Sequence, residues 1–131
     1  MSGYVLDASV AITALTEPAT AAAGLLSGND AAFTVPSIFD AEVLSALRGL
    51  VRSGKLDPAA AADLVVDLIV LPVDRWHMAP LLPRMWELRA NLTPYDAAYV
   101  ALAELTGAIL VTGDERITAS PRARCEIQII K

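Results

Sequence analysis

Tyr4-Val5-Leu6-Asp7-Ala8-Ser9 sets an unbroken apolar tripeptide directly before an acid, and the chain turns helical from Ala8. The order returns near the other end, where Ala108-Ile109-Leu110-Val111-Thr112-Gly113-Asp114 runs from apolar residues into a second acid. Short, continuous apolar runs, unlike alternating ones, mark strands buried on both faces. Phe33-Thr34-Val35, stopped by Pro36, and the runs at 69–73 and 127–130 read as three more. Helical stretches alternate with them, so the expected fold is α/β, an all-parallel sheet covered by helices on both faces. In such open sheets ligands bind beyond the carboxyl ends of the strands, which is where Asp7 and Asp114 fall.

The helices follow from start and stop residues. Thr20 opens a short helix over 20–26, closed by Gly28-Asn29-Asp30. Ser37, with Asp40 three residues on, reads as the N-cap of a helix reaching Arg52 and Ser53, with Gly54 as its stop. Asp57-Pro58 repeats the start signal for a helix ending near Asp67, before the strand at 69–73. Residues 76–90 read as helical despite Pro80 and Pro83, with Asn91 as a left-handed C-terminal cap. Thr93-Pro94 opens a helix over 95–105 that Gly107 ends, and Asp114 begins a helical turn to Ile117. With no repeat, linker or low-complexity tract, the 131 residues are expected to form a single domain, 1–131.

Composition narrows the class. The chain is 55% hydrophobic, much of it alanine, which favours close-packed helices and leaves apolar surface for a partner. A net charge of −5 argues against binding polyanions over the whole surface, though a bound divalent cation would invert the field at an acidic pocket. One cysteine, Cys125, excludes an intrachain disulfide and suits a reducing compartment. The start of the sequence lacks a basic region followed by a long apolar stretch, and no run spans a bilayer; the expectation is a cytoplasmic, soluble protein without a membrane partner.

Four carboxylates carry the chemistry: Asp7, Glu42, Asp96 and Asp114. Each has a bland alternative. Asp7 and Asp114 stand where helix caps stand, Thr93-Pro94-Tyr95-Asp96 matches a capping box, and Glu42 is an ordinary first-turn glutamate. Two features weigh against caps alone. Asp96 precedes Ala97-Ala98-Tyr99-Val100-Ala101-Leu102-Ala103, apolar nearly all round and therefore buried, and Glu42 lies among Ile38, Phe39, Val43, Leu44 and Leu47. Carboxylates in such settings are costly unless a proton or cation neutralises them. Ser9 and Thr112, two residues from Asp7 and Asp114, supply hydroxyls able to orient carboxylates. Mg²⁺ prefers oxygen ligands and keeps several waters, so clustered acids are its natural site.

The motifs Val5-Leu6-Asp7-Ala8-Ser9, Pro36-Ser37-Ile38-Phe39-Asp40-Ala41-Glu42-Val43, Thr93-Pro94-Tyr95-Asp96-Ala97-Ala98-Tyr99 and Val111-Thr112-Gly113-Asp114-Glu115-Arg116 resemble, in order and spacing, the PIN domain, and most closely VapC-type toxins of bacterial toxin–antitoxin pairs. The resemblance covers essentially the whole chain. It implies a three-layer α/β/α Rossmann-like fold around a five-stranded parallel sheet. It also implies a Mg²⁺- or Mn²⁺-dependent endoribonuclease whose catalytic, metal-binding residues are Asp7, Glu42, Asp96 and Asp114, supported by Ser9 and Thr112. RNA as substrate, a homodimer and a cognate VapB-type antitoxin are implied with it.

Arg116 is placed to hold an RNA phosphate near the acids, and Arg52, with Arg48 and Lys55, offers a second basic strip or merely a solvated face. Arg122 and Arg124 extend the Arg116 edge or solvate a loop. His77, Trp76 and Trp86 read as surface or packing residues, and Cys125 as an inert thiol. Two rival functions stand beside the nuclease: a binding module that keeps the fold without catalysis, and an α/β phosphatase. The latter usually carries a second aspartate where this chain has Ser9.

Overall fold

The computed structural model describes residues 3–28 and 32–131. Five strands, β1 (Tyr4–Leu6), β2 (Phe33–Pro36), β3 (Asp74–Trp76), β4 (Ile109–Thr112) and β5 (Ile127–Ile129), form one sheet in the order β3-β2-β1-β4-β5. Every pairing is parallel. The connections run outward from β1 through β2 to β3 and then return to β4, so the topological switch lies between the two central strands, β1 and β4. Helices α1 (Ala8–Thr16), α2 (Ala21–Ser27), α3 (Phe39–Arg52) and α4 (Pro58–Val70) pack on one another, α5 (Leu82–Glu87) packs on α6 (Pro94–Thr106), and α6 lies across β1, β2 and β4. Right-handed crossovers put the two groups on opposite faces of the sheet, giving the expected three-layer α/β/α architecture.

The core is aliphatic. Val5, Leu6, Val35, Leu110 and Val111 from the strands are buried completely against Val10, Phe39, Val43, Leu102 and Tyr99 from the helices. Alanine allows α6 to lie close: Ala97, Ala98, Ala101 and Ala103 are all buried where this helix crosses the sheet. Gly54 and Gly107 follow α3 and α6 with φ of 77° and 70°, the left-handed conformation that ends a helix without a Cβ penalty.

Several boundaries differ from the sequence reading. Ser37 does not cap α3; Ile38 occupies the N-cap without a side-chain bond, the Ser37 amide donates to Trp76 O, and Asp40 is taken by a two-pronged pair with Arg75. The strand placed at 69–73 is instead the end of α4 and its exit, and β3 begins at Asp74. Residues 76–90 are not one helix: Pro80 and Pro83 divide them into a 3₁₀ turn, Ala79–Leu81, and the short α5. Among the described residues only glycines have positive φ, so Asn91 is not a left-handed cap. Asn29 and Asp30, read as closing α2 with Gly28, lie outside the described residues. Among those residues no single helix is long and apolar enough to cross a membrane. Helices α1 and α2 reach that length and composition only as a pair bent by 94°.

Candidate active site

Asp7 follows β1 and Asp114 follows β4, so neighbouring parallel strands deliver both acids to the same end of the sheet, on either side of the switch point. Asp7 occupies the N-cap position of α1, yet its carboxylate makes no capping bond. Its Oδ2 instead accepts from Thr112 Oγ1 at 2.6 Å and Ser9 Oγ at 2.9 Å. Both hydroxyls are held from the other side: the Asp114 amide donates to Thr112 Oγ1 at 3.0 Å, and the Gly113 amide to Ser9 Oγ at 3.1 Å. Asp7 is only 8% exposed, and among the described residues no cation pairs with it. A buried carboxylate served by two hydroxyls and no counter-charge is not explained by capping.

Asp96 does sit in its cap. The Thr93 hydroxyl accepts from the Asp96 amide at 3.2 Å, with Pro94 in the first turn. Burial, then the charges of Asp7 and Asp114, raise its carboxyl above the ordinary range, against weaker opposition from Thr93 and Arg116. Glu42, in the first turn of α3, is half-buried, and the Tyr99 hydroxyl donates to its Oε1 at 2.6 Å. Burial is the main cause raising the Glu42 carboxyl; the Tyr99 bond opposes it, and the charges of Asp7 and Asp96 add to it. The four acids therefore feel one another across the end of the sheet, as like charges in a shared site do.

Asp114 behaves differently. Arg116 donates to both its oxygens, Nη2 at 2.7 Å and Nε at 3.0 and 3.2 Å, and the Arg116 amide adds a fourth bond at 2.9 Å. These bonds pull the Asp114 carboxyl below the usual carboxylate range. The Arg116 side chain is 88% exposed, so the pair is held loosely in solvent. Among the described residues no three Asp, Glu, His or Cys side chains stand in a closed metal-binding arrangement. The reason is visible in the contacts: Asp114 turns to Arg116 and Glu42 to Tyr99. The donor set itself, four carboxylates with only one salt-bridged, still fits a hard, oxygen-seeking divalent cation.

The other candidates are scattered. Arg52 is exposed at the far end of α3, ten residues or about 15 Å along the helix from Glu42. There it borders an apolar groove between α3 and α4 lined by Leu44, Leu47, Val51, Ala61 and Val65. Arg122 and Arg124 border a separate cleft with Arg84 and Glu87. His77 is exposed, and Trp86 lies on the surface with the Arg89 guanidinium 4.4 Å over its ring. Burial pushes the Cys125 thiol up to about 11, which keeps it protonated and unreactive. Tyr99 was legible only as a buried apolar residue; that a buried phenol must find an acceptor was the available clue.

A parallel α/β/α sheet with acids gathered at its switch point defines a Rossmann-like protein with an acidic end-of-sheet site. The chain belongs to the PIN domain family, whose profile matches residues 4–122. It is 40% identical over 128 residues to ribonuclease VapC12 of Mycobacterium tuberculosis, covering 96% of this chain and 98% of that protein. Ribonuclease VapC9 of the same organism is 36% identical over 126 residues, covering 96% and 97%. Among solved structures, VapBC2 from Rickettsia felis, bound to a DNA fragment from its promoter, matches with a TM-score of 0.73 over 98% of both chains. At 15% identity that likeness concerns the fold.

Proposed function

We propose that this chain is an endoribonuclease, the toxin of a VapBC-type toxin–antitoxin pair, whose Asp7, Glu42, Asp96 and Asp114 hold Mg²⁺ or Mn²⁺. The observation that carries the reading is Asp7: a buried carboxylate at the switch point, oriented by Ser9 and Thr112 and, among the described residues, paired with no Lys or Arg. Near-full-length relatives that are ribonucleases support the same substrate class. A divalent cation held by Asp7, Glu42, Asp96 and Asp114 would supply Lewis-acid activation of water and charge stabilisation for phosphodiester hydrolysis. Ser9 and Thr112 keep Asp7 in one orientation, and Arg116, exposed beside Asp114, is the guanidinium within reach of an RNA phosphate. Arg52, on the rim of the α3–α4 groove, contacts more distant phosphates in this scheme.

The apolar groove between α3 and α4 fits an amphipathic helix of a VapB-type antitoxin. The exposed Leu82, Trp86 and Leu105 leave apolar area for a homodimer. The 131 residues then act as one PIN unit in the cytoplasm. RNA cleavage by the purified protein with Mg²⁺ or Mn²⁺ tests the assignment, with loss expected in Asp7→Asn and Asp96→Asn; activity surviving in either would sink it. A non-catalytic binding module is favoured only by the hold of Arg116 on Asp114. Absence of Mg²⁺ and Mn²⁺ binding at millimolar concentration would favour that alternative.

A further inference from the structure

Tyr99 interrupts a run of alanines and aliphatics on α6, three residues after Asp96, so both lie on one face of the helix. Its ring is fully buried, and its hydroxyl is the only polar atom it brings into the core. That hydroxyl reaches across the sheet end to Glu42 Oε1 at 2.6 Å, a short bond of the charge-assisted kind. One hydroxyl thus joins the first turn of α3 to the helix that carries Asp96.

We propose that Tyr99 is a positioning residue: its hydroxyl clamps Glu42 Oε1 and so sets where the α3 acid stands relative to Asp7 and Asp96. The proposal rests on reading these acids as the metal site. A glutamate has three side-chain torsions, and on a half-buried helix turn several rotamers would point it away from its neighbours. The clamp commits Oε1 to the phenol and leaves Oε2 as the oxygen available to a cation. It acts only through Glu42 and touches no reacting atom.

Tyr99→Phe keeps the ring and removes one oxygen. The experiment compares wild type, Tyr99→Phe, Glu42→Gln, the double variant and Asp7→Asn by calorimetric Mn²⁺ titration and by RNA cleavage kinetics. Tyr99→Phe is expected to weaken Mn²⁺ binding and lower kcat by about ten- to a hundredfold, the range for outer partners of metal ligands, with KM unchanged. The double variant should be no worse than Glu42→Gln alone, because the hydroxyl has no target once the carboxylate is gone. Wild-type affinity and kcat in Tyr99→Phe, or penalties that multiply in the double variant, overturn the clamp. Asp7→Asn separates the two levels. If it still cleaves RNA, the site reading fails and takes the clamp with it; if it is dead while Tyr99→Phe is unaffected, only the clamp fails. Should Tyr99→Phe not fold, the wild-type Tyr99 hydroxyl proton, followed by NMR during Mg²⁺ titration, must shift; an unmoved resonance overturns the proposal.

Discussion

Thr112 Oγ1 donates to Asp7 Oδ2 over 2.6 Å, joining the last residue of β4 to the first residue beyond β1. The parallel register Leu6↔Val111 puts them side by side, and the Asp7 amide closes the junction by donating to Val111 O at 3.0 Å. Because the Asp114 amide donates to the same threonine oxygen, one hydroxyl orients two of the acids.

Thr112→Val keeps the shape of this side chain and removes that hydroxyl. Asp7 loses a donor in a buried setting, and the Asp114 amide an acceptor in a part-buried one. Stability should fall by about 1–3 kcal/mol in urea titration, and RNA cleavage by about ten- to a hundredfold. Thr112→Ser, which retains the donor, should recover most of the activity.

The raised carboxyls of Glu42 and Asp96 set a pH dependence for the metal-free protein. A folded pKa above the unfolded one means that ionisation opposes folding, so this penalty is present at neutral pH. It is relieved as pH falls through the raised values toward the ordinary carboxylate range. Glu104 runs the other way: its lowered value adds stability that is lost as pH falls through it. Melting temperature in chelator should therefore peak in mild acid and drop on further acidification. Glu42→Gln should flatten the neutral-side slope.

Arg116 occupies the fourth acid from an almost fully exposed side chain. Arg116→Ala should leave the melting temperature essentially unchanged, since exposed pairs contribute little. It should tighten Mn²⁺ binding by freeing Asp114, and raise KM for RNA by removing a phosphate contact. Calorimetry and steady-state kinetics on the same preparation check both directions.

Away from the acids, Arg84 ties the second helical layer to the approach to β5. It pairs with Glu104 at 2.7 Å, with the two side chains 19% and 13% exposed, and donates to Arg122 O at 2.6 Å. The Arg124 amide completes the link to Glu104 at 2.7 Å. Arg84→Met leaves Glu104 largely buried without its partner and should cost about 3–5 kcal/mol in denaturant unfolding. Adding Glu104→Met should recover part of that loss.

Local chemistry explains which parts were readable. Asp57 accepts from the amides of Ala59 and Ala60, and Thr93 from that of Asp96, as their sequence signals demand. The errors fall where tertiary partners outweighed local signals. Asp40 serves Arg75 on an edge strand instead of a capping box at Ser37. The apolar stretch after Asp67 completes α4 because Leu68 is buried in the core, and β3 is built from the exposed Asp74-Arg75-Trp76.

By itself the sequence determined the α/β alternation, the parallel sheet, and the four acids that the notion of a metal site depends on. Continuous apolar runs such as Tyr4–Leu6 and Ile109–Thr112 fit strands of a covered parallel sheet, beyond whose carboxyl ends ligands bind. The tertiary structure alone decided what each acid touches. Strand register brought Thr112 to Asp7, helix crossing brought the Tyr99 hydroxyl to Glu42 from 57 residues away, and a local turn gave Asp114 to Arg116. Hydrogen bonds reach only about 3 Å, so such partners follow from packing in three dimensions and leave little trace in the order of residues.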